Sequence, residues 1–440
     1  MLSLVHVLAW RVPVSSGAVA LSDDRGAELT YGGLASAMSR SAAGFSAAGV
    51  APGDVVPVVA RNQAGWVTAM LGLIRAGALP MAVNWRLAAP EVTALLRLAR
   101  PAAVVADSGC LALARQAVAG LDEPVPVISD PHLADSGETA RPAERLRPSE
   151  PAILVHTSGT TGRPKLVPLT HQQLITAVVF MKLEVPEAVP GARHLSALPL
   201  FHVAGLANLS YVLFTGGHLH VLGGFEPAGF VDELVSRRIQ LTQLVPTLIS
   251  LPPEDHDPLL GRLGTAGRPS LGWEVRLGER GEVQVRGAAP RPGYWNDAAA
   301  TARSLTADGF YRTGDVGTID ADGYLTIVDR LNDLVITGGE NVFPAEVEAV
   351  LAQHPSVADV AVIGIPDERW GETVHAVVVA APGCDFGAGE LVGWARERLA
   401  GFKCPTGVTV VPELPRNATG KVLRAALRKP FWAGRDRLVS

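Results

Sequence analysis

The residues with the clearest chemical potential form one short loop, Thr157-Ser158-Gly159-Thr160-Thr161-Gly162-Arg163-Pro164-Lys165. The loop follows the apolar run Ile153-Leu154-Val155, which predicts a short buried strand. Two glycines allow a sharp turn, so backbone N–H groups, hydroxyls and the lysine can converge on a phosphate-sized anion. The position of Lys165 does not fit the Walker pattern. The loop therefore predicts a phosphate site, and an ordinary turn rich in glycine and threonine is the alternative.

Further short motifs lie elsewhere in the chain, most of them beside a glycine or proline that makes the chain turn. They are His202 after Leu198-Pro199-Leu200, Asp315 after Gly314, Arg330 after Asp329, Gly338-Gly339 ahead of Pro344, and Lys421 after Gly420. Each has a structural alternative. His202 alone is typical of a core histidine, Asp315 of an Asx turn, and Lys421 of a solvated basic tail that also contains Arg424 and Arg428.

In their order along the chain, these motifs resemble those of the adenylate-forming enzymes, which include acyl- and aryl-CoA ligases, luciferases and peptide-synthetase adenylation domains. The resemblance runs from Leu29-Thr30-Tyr31 to Arg424. It implies that a carboxylic acid reacts with ATP to give acyl-AMP, which then transfers its acyl group to CoA. The implied cofactors are ATP or AMP, CoA, and Mg²⁺ that arrives with ATP. No metal is expected to be held by protein side chains alone.

The resemblance also implies roles for individual residues. The ATP phosphates are assigned to Thr157, Ser158, Gly159, Thr160, Thr161, Gly162 and Lys165. Asp315 matches the carboxylate that accepts hydrogen bonds from the ribose hydroxyls, and Arg330 matches an arginine that contacts phosphate or ribose. Lys421 matches the lysine that bridges carboxylate and α-phosphate in the adenylation transition state. With Thr157 and with His202, which matches the gate beside the acyl pocket, Lys421 completes the predicted catalytic set.

A second group of residues resembles the CoA site of the family. Gly338 and Gly339 match the segment that lines the pantetheine tunnel, where side chains would block the thiol. Trp370, Phe402 and Lys403 match positions near the CoA nucleotide, where they would stack on the base and pair with phosphate. Buried packing is the alternative for Trp370, and a carrier-protein phosphopantetheine is the alternative acceptor.

One departure from the family pattern has chemical consequences. Members normally carry, after a Val-Pro-Thr helix, an aromatic-Gly-x-Thr-Glu stretch whose aromatic stacks on adenine and whose glutamate holds Mg²⁺. Here Val245-Pro246-Thr247 is followed almost at once by Gly264-Thr265-Ala266-Gly267-Arg268-Pro269, and residues 250–263 resemble no such motif. Because Mg²⁺ neutralises the pyrophosphate charge, we expect adenylation to be weak or lost and thioester formation to be retained. A complete ATP-dependent synthetase and an inactive adenylate- or CoA-binding relative are the alternatives.

The elements that must position these residues follow from the hydrophobic pattern. Strand-like and helical runs alternate in the first half of the chain, at Val55–Val59, Trp66–Arg75, Pro90–Leu98 and Ala103–Ala106. This alternation predicts a parallel sheet covered by helices. After residue 270, the runs 274–277 and 282–285 alternate apolar with polar residues, which predicts an antiparallel hairpin with one solvent face.

The C-terminal part reads as a separate small domain. A helix opened by Pro344, strands at 360–365 and 374–379, and a helix at 394–399 predict a mobile α+β lid over residues 332–440. Residues 1–331 are predicted to form the AMP-binding domain, with βαβ subdomains and a β-rich portion, shortened between 250 and 263. The predicted fold class is therefore α/β.

Composition restricts the class of partner. The 440 residues are 48% apolar and 18% charged, which is enough for large cores, and the net charge of −5 gives no reason to expect nucleic acid or membrane as a partner. Three widely spaced cysteines indicate neither a disulfide framework nor a zinc site. With no signal-peptide pattern, we expect a cytoplasmic protein. The missing segment would expose a sheet edge, so a homodimer that covers it is also considered.

Overall fold

The computed structural model describes residues 3–129, 146–157, 164–184, 188–242, 249–250, 265–288, 293–331, 333–338, 340–384, 387–416 and 422–433. The chain divides into two compact units. The first contains Met1–Leu248, Ser270–Trp273 and Gly287–Arg303, and the second contains Ile249–Pro269, Glu274–Arg286 and Ser304–Ser440. Both mix helices with sheets, as predicted for an α/β protein. The second unit includes residues on both sides of the proposed 331/332 boundary, which stays a prediction, as does a mobile lid.

The first unit contains two sheets and most of the helices. In chain order its elements are α1 (Leu4–Ser15), β1 (Val19–Asp23), β2 (Glu28–Thr30), α2 (Tyr31–Ala47), β3 (Val55–Val59), α3 (Ala64–Arg75), β4 (Leu79–Ala82), α4 (Ala89–Ala99), β5 (Val104–Ala106), α5 (Leu111–Ala119), β6 (Val127–Ser129), β7 (Pro151–Thr157), β8 (Lys165–Thr170), α6 (His171–Glu184), β9 (Arg193–Ser196), α7 (Val203–Thr215), β10 (His218–Val221), α8 (Pro227–Ser236), β11 (Leu241–Thr242) and α9 (Ala298–Arg303).

The six-stranded sheet has the order β6-β5-β3-β4-β7-β8 and is parallel except for the β7–β8 pair. This confirms the predicted parallel sheet and its strands at 55–59 and 103–106. Strand β3 is apolar throughout because both of its faces are covered. Val56 and Val58 belong to one hydrophobic cluster, and Val55 and Val59 belong to another.

The second sheet of this unit has the order β11-β9-β10-β1-β2, with parallel pairs except between β1 and β2. Among the described residues, the two-residue strand β11 stands at one end of this order. Residues 251–264, which contain most of the predicted shortening, lie outside the described residues.

The remaining elements belong to smaller sheets. In chain order they are β12 (Ile249–Ser250), β13 (Arg268–Pro269), β14 (Trp273–Leu277), β15 (Glu282–Gly287), β16 (Tyr311–Ile319), β17 (Leu325–Arg330), β18 (Val335–Thr337), β19 (Glu340–Val342), α10 (Pro344–Leu351), β20 (Val357–Asp367), β21 (Gly371–Ala380), α11 (Ala388–Arg396), β22 (Gly407–Val410) and α12 (Arg424–Arg428).

The strands β14 to β17 follow one another in a four-stranded sheet. The solvent face expected for residues 282–285 of β15 is wrong, because Glu282 and Gln284 are buried as well as the two valines. The carboxylate of Glu282 is 3.0 Å from Arg312, and Gln284 accepts a hydrogen bond from Arg276 Nε at 3.0 Å. These partners replace the water that an alternating strand would otherwise face.

The C-terminal sheet has the order β19-β18-β21-β20, and β22 pairs in parallel with β21. The helix that opens at Pro344 and the two long strands are confirmed. The helix expected at 394–399 is α11, which begins at Ala388 and ends at Arg396. Beyond its end the Arg398 N–H donates to Ala395 O, only three residues back, which is the spacing of a 3₁₀ turn. In the part of the chain that the structure describes, no helix is long and apolar enough to cross a membrane.

Candidate functional site

The base of the predicted phosphate loop is the hairpin of β7 and β8. Thr157 and Lys165 are paired across its open end, so the two residues that flank the loop lie side by side. The loop residues Ser158, Gly159, Thr160, Thr161 and Gly162 lie outside the described residues. The structure thus brings the two ends of the motif together.

The ammonium group of Lys165 lies over an aromatic ring. Its Nζ is 4.5 Å from the ring centroid of Tyr294, and the neighbouring Trp295 N–H donates to Leu166 O at 2.8 Å. The ring face attracts the cation and restricts its position without neutralising it. Sequence reasoning missed Tyr294, because nothing in the run Gly293-Tyr294-Trp295 shows that it returns to β8.

His202 lies at the N-terminus of α7 and is exposed, so the core-histidine alternative is wrong. Its Nδ1 accepts a hydrogen bond from the Ala204 N–H at 3.3 Å. The preceding turn is held by buried Asn62, which donates to Leu198 O at 2.9 Å and accepts from the Leu200 N–H at 2.9 Å. Asn62 also donates to the backbone after β10. A single neutral amide therefore fixes the segment that presents His202.

Helix α7 approaches this turn very closely at Gly205. A Cβ atom at Gly205 would lie 2.4 Å from Pro199 O. Because real carbon and oxygen atoms do not approach to that distance, only glycine lets the helix pack here without a backbone shift. Gly205 is a second positioning residue that the sequence motif did not single out.

A second histidine lies beside this region. His156, at the end of β7, accepts a hydrogen bond at Nε2 from the Asn84 N–H at 3.1 Å, so its neutral ring carries the proton on Nδ1. Burial, together with the nearby His202, lowers the pKa of His156 to about 4. Partial desolvation lowers the pKa of His202 as well. At neutral pH both imidazoles are therefore uncharged.

In the second unit, the structure brings together Asp315 and Arg330. They are cross-strand partners on β16 and β17, and Arg330 Nε is 3.0 Å from Asp315 Oδ1. Asp315 lies inside a nine-residue strand, so the Asx-turn alternative is wrong. Their side chains are 28% and 44% exposed, which leaves this carboxylate–guanidinium pair accessible to a ligand.

The residue before Arg330 connects the sheet to the next helix. Asp329 Oδ1 accepts from the Arg330 N–H at 2.7 Å, and Asp329 Oδ2 accepts from the Ala345 N–H at 2.9 Å. Ala345 lies in the first turn of α10, where backbone N–H groups need an acceptor. Asp329 therefore caps α10 from a distance, across the predicted hinge. Asn332 lies outside the described residues.

Lys421 and residues 417–420 also lie outside the described residues, but the chain on either side is defined. Arg416 and Val422 form an isolated β-bridge. The Leu423 N–H donates to Pro415 O at 2.7 Å. The segment that contains Lys421 therefore has its two ends fixed side by side.

Directly after this segment, Arg424 and Arg428 join two carboxylates in a largely buried group that we call the Arg424 cluster: Asp333, Glu348, Arg424 and Arg428. Arg424 Nη2 is 2.8 Å from both oxygens of Glu348, and Arg424 Nη1 is 3.5 Å from Asp333. Arg428 Nη1 is 3.2 Å from Asp333. Burial opposes the charge of Arg424, but these carboxylates outweigh it and raise its pKa. For Arg424 and Arg428 the solvated-tail alternative is wrong.

The residues predicted to bind CoA make two separate contacts. The first is between Gly338 and Trp370. The Gly338 N–H donates to Trp370 O at 2.9 Å, and a Cβ on Gly338 would lie 2.7 Å from the indole ring. Gly338 has a φ of +59°, which also favours glycine. Trp370 is 47% exposed, so the buried-packing alternative is wrong. Gly339 lies outside the described residues.

The second contact involves Phe402 and Lys403, which form part of a 3₁₀ turn (Gly401–Lys403) against β19. Phe402 is 44% exposed. Lys403 Nζ donates to both oxygens of Glu346, at 2.7 and 2.8 Å. Sequence reasoning missed Glu346, although its place in the first turn of α10 is a helix-start signal. Lys403 is therefore paired with a carboxylate.

The described residues contain no group of three or more His, Cys, Asp or Glu side chains that could hold a metal ion.

Family models match both parts of the chain. The model described as AMP-binding enzyme matches residues 8–258, and the model described as AMP-binding enzyme C-terminal domain matches residues 346–421.

Curated relatives span nearly the same length. Feruloyl-CoA synthase of an Amycolatopsis species is 33% identical over 475 aligned positions, which cover 92% of this chain and 94% of that protein. Indoleacetate–CoA ligase of Aromatoleum aromaticum is 32% identical over 91% of this chain and 93% of that protein.

Solved structures agree with the fold. o-Succinylbenzoate CoA synthetase from Bacillus subtilis, in complex with its acyl-adenylate intermediate, matches with a TM-score of 0.85 and 27% identity over 96% of this chain and 97% of that chain. The same enzyme in complex with ATP and a magnesium ion matches with a TM-score of 0.84 and 27% identity over 96% and 98% of the two chains. This chain therefore belongs to the AMP-binding enzymes, the adenylate-forming family, and within it to the acyl- and aryl-CoA ligases, which are acid–thiol ligases.

Proposed function

We propose that this protein makes an acyl-CoA from an acyl-adenylate and CoA, and that its own ATP-dependent adenylation is weak or lost. The observation that carries this proposal is an asymmetry between the residues for the two half-reactions. Residues assigned to AMP and CoA form contacts in the second unit, whereas no residue in 250–263 resembles the family's adenine-stacking aromatic or its Mg²⁺-binding glutamate.

The alignment with the feruloyl-CoA synthase supports a shortened chain. Its 475 aligned positions exceed the 440 residues of this protein, so at least 35 positions of the relative face a gap here. A loss of that size fits the absence of the aromatic-Gly-x-Thr-Glu motif and of the elements that carry it. In the family, the glutamate that holds Mg²⁺ belongs to that motif, which has no counterpart here, so we assign no step to a protein-held metal.

An acyl-adenylate makes smaller electrostatic demands than ATP. It carries a single phosphate charge, for which Lys165, Arg330 and Lys421 are the candidate cations. Asp315 offers two coplanar acceptor oxygens for the ribose hydroxyls, and its pairing with Arg330 fixes the orientation of the carboxylate. The AMP half of the intermediate can thus be bound without a metal ion.

The thioester step needs access for sulfur rather than charge neutralisation. The thiol sulfur forms a bond to the acyl carbonyl carbon, the bond from that carbon to the phosphate oxygen breaks, AMP leaves, and the thiol proton passes to solvent. Gly338 lets the backbone pack directly against the indole ring of Trp370, and the exposed part of that ring can stack on the CoA base. Lys403 can exchange Glu346 for a CoA phosphate.

Two assays on the full chain test the proposal. A panel of synthetic acyl-adenylates mixed with CoA should yield a thioester, whereas ATP–pyrophosphate exchange with the matching free acids should stay at background. The panel should include feruloyl-, indoleacetyl- and long-chain acyl-adenylates, since relatives are named for such acids. Trp370→Ala should slow thioester formation and leave AMP binding unchanged. Vigorous pyrophosphate exchange would refute the weakened adenylation.

A complete ATP-dependent acyl-CoA synthetase is the second candidate function. The names of the relatives favour it, because they are synthases and ligases that match over nine-tenths of this chain. Vigorous exchange together with thioester formation selects this candidate. If neither reaction is detected but AMP or CoA raises the melting temperature, the protein is an inactive relative that binds these ligands.

The acceptor and the assembly state are also proposals. One relative, from Streptomyces coeruleorubidus, is a fatty acid–acyl-carrier-protein ligase with 32% identity, so a phosphopantetheinylated carrier protein should be assayed beside CoA. We favour CoA because of Trp370 and Lys403. A cytoplasmic location and a homodimer stay predictions, and light scattering on the purified chain tests the latter.

A further inference from the structure

The ammonium group of Lys165 differs from the side chains of Arg330 and Lys403 in what holds it. Arg330 and Lys403 are each paired with a carboxylate. Lys165 lies over a ring face instead, with its Nζ 4.5 Å from the ring centroid of Tyr294. Among the described residues, no ion pair joins Lys165 to a carboxylate. Lys165 therefore keeps its positive charge available to a ligand.

The backbone around Tyr294 is fixed from two sides. The Tyr294 N–H donates to Thr301 Oγ1 at 2.8 Å, in α9. The neighbouring Trp295 N–H donates to Leu166 O at 2.8 Å, and Leu166 is the residue that follows Lys165 on β8. The strand that carries the lysine thus also holds the segment that carries the ring.

Side-chain packing supports the same arrangement. Leu166 is 2% exposed and belongs to a hydrophobic cluster against which Trp295 packs. Gly293, directly before Tyr294, has a φ of +87°, and a Cβ atom there would lie 2.4 Å from Thr301 Cγ2. Such a close approach needs a residue without a side chain. The ring beneath Lys165 therefore belongs to a packed segment of the first unit.

An aromatic ring positions an ammonium group differently from a carboxylate. The ring quadrupole attracts the cation but carries no net charge, so a phosphate does not have to displace a competing anion. The ammonium has several N–H donors, and those directed away from the ring stay available to a ligand. Contact with the ring also limits the rotamers of the flexible lysine stem before a ligand binds, which lowers the entropy cost of binding.

We propose that Tyr294 is a positioning residue, which holds Lys165 ready for the phosphate group of an adenine nucleotide and acts on the nucleotide through Lys165. The inference deepens the proposed function and rests on it in one respect, the assignment of Lys165 as a cation for the phosphate of AMP. AMP is therefore the probe, and adenosine is its phosphate-free counterpart.

Tyr294→Leu removes the ring face and keeps an apolar side chain. By calorimetric titration of the full chain, its affinity for AMP should fall about threefold, which corresponds to a partly exposed cation–π contact. Its affinity for adenosine should not change, because Lys165 then has no phosphate to bind. Tyr294→Phe is the matched control, which keeps the ring face and should keep the AMP affinity of the parent.

A double-mutant cycle tests whether the ring acts through the lysine. Lys165→Met should weaken AMP binding about tenfold, the loss expected for one charge-assisted hydrogen bond. In the Lys165→Met background, Tyr294→Leu should cause no further loss, since the group that it positions is absent. A purely structural role of Tyr294 would give the same loss in both backgrounds.

Replacement of Tyr294 by a fluorinated phenylalanine provides a second variant in case Tyr294→Leu folds poorly. Fluorine withdraws electron density from the ring face and hardly changes the shape of the ring, so it weakens a cation–π contact with little effect on packing. The melting temperature should match that of Tyr294→Phe, whereas the AMP affinity should be lower than in Tyr294→Phe.

The outcomes distinguish a failure of this inference from a failure of the proposed function. Unchanged AMP affinity in Tyr294→Leu and in the fluorinated variant, with a loss in Lys165→Met, overturns the positioning role alone. An equal loss for adenosine, or an equal loss in the Lys165→Met background, also overturns it. If Lys165→Met leaves AMP binding unchanged, or if the parent binds no AMP, the assignment of Lys165 in the proposed function fails as well.

Discussion

The two units hold their candidate site residues by different physics. In the first unit, His202 and His156 are positioned by neutral hydrogen bonds to backbone groups, through Asn62 and the Asn84 N–H. In the second unit, Arg330, Lys403 and Arg424 are each held by a carboxylate. The first unit depends on hydrogen-bonding groups that must stay uncharged. The second unit depends on charged side chains that can exchange one partner for another.

The neutral hydrogen bonds of the first unit determine the geometry of its candidate site, whereas the ion pairs of the second unit supply charges for ligand binding. Buried neutral hydrogen bonds are directional and offer a ligand no charge to compete for, so they set the shape of a pocket. The partly exposed ion pairs of Arg330 and Lys403 contribute little stability, and an incoming phosphate can replace the carboxylate at modest cost. The second unit thus has its cations in place before any ligand binds.

Acid should destabilise the first unit more than the second. Burial is the main cause that lowers the pKa of His156, His171 and His194 to about 4, below their ordinary 6.5. Between these values the unfolded chain binds more protons, so the free energy of unfolding falls as the pH falls from about 6.5 towards 4. We expect a loss of roughly 1–2 kcal/mol per histidine between pH 7 and pH 5. Urea unfolding at both values measures it.

A single substitution calibrates this effect. His171→Gln should remove about one histidine's share of the pH dependence, whatever its effect at pH 7. An unfolding free energy that does not change between pH 7 and pH 5 in the parent would show that these rings are not buried as neutral groups.

Removal of one cation should break the Arg424 cluster. Arg424→Leu leaves Asp333 and Glu348 largely buried, at 13% and 18% exposure, without their shared partner. We expect a loss of roughly 3 kcal/mol in the free energy of unfolding. Arg416→Leu, at the other end of the Lys421 segment, removes an exposed pair with Asp359 and should cost less than about 1 kcal/mol. Equal losses would contradict the distinction between the two pairs.

Packing at the His202 turn gives a smaller effect. Gly205→Ala should cost about 1–3 kcal/mol, because the new Cβ meets Pro199 O. Gly393→Ala is the control, since no described atom lies within 4 Å of a Cβ in that helix position. It should gain roughly 0.5–1 kcal/mol from the better helix propensity of alanine. Thermal unfolding of both variants distinguishes a close approach from a general effect of glycine replacement.

Partner exchange at Lys403 gives the smallest effect. Glu346→Gln removes the carboxylate that competes with a CoA phosphate, so the KM for CoA in the acyl-adenylate assay should fall severalfold, and Lys403→Gln should raise it. Stability should change by less than about 1 kcal/mol in both, because the pair is partly exposed. If Glu346→Gln raised the KM for CoA instead, Glu346 would be a positioning residue for Lys403 rather than its competitor.

The sequence by itself determined the family, the parallel sheet and the location of the main motifs. These depend on local order: an apolar run such as 55–59 forms a strand, and glycines beside polar residues mark turns. Asp315 and Arg330 were selected from the sequence as two separate motifs, and their cross-strand pairing follows only from the register of β16 and β17.

Only the tertiary structure decided which partner each charged group has. Tyr294 beneath Lys165, Glu346 on Lys403, and Asp333 with Glu348 around Arg424 all join segments far apart in the chain. The burial of Glu282 and Gln284 against the expected pattern has the same origin. Spacing encodes how the backbone turns, but the environment of a side chain depends on which distant segment packs against it, and no local pattern contains that information.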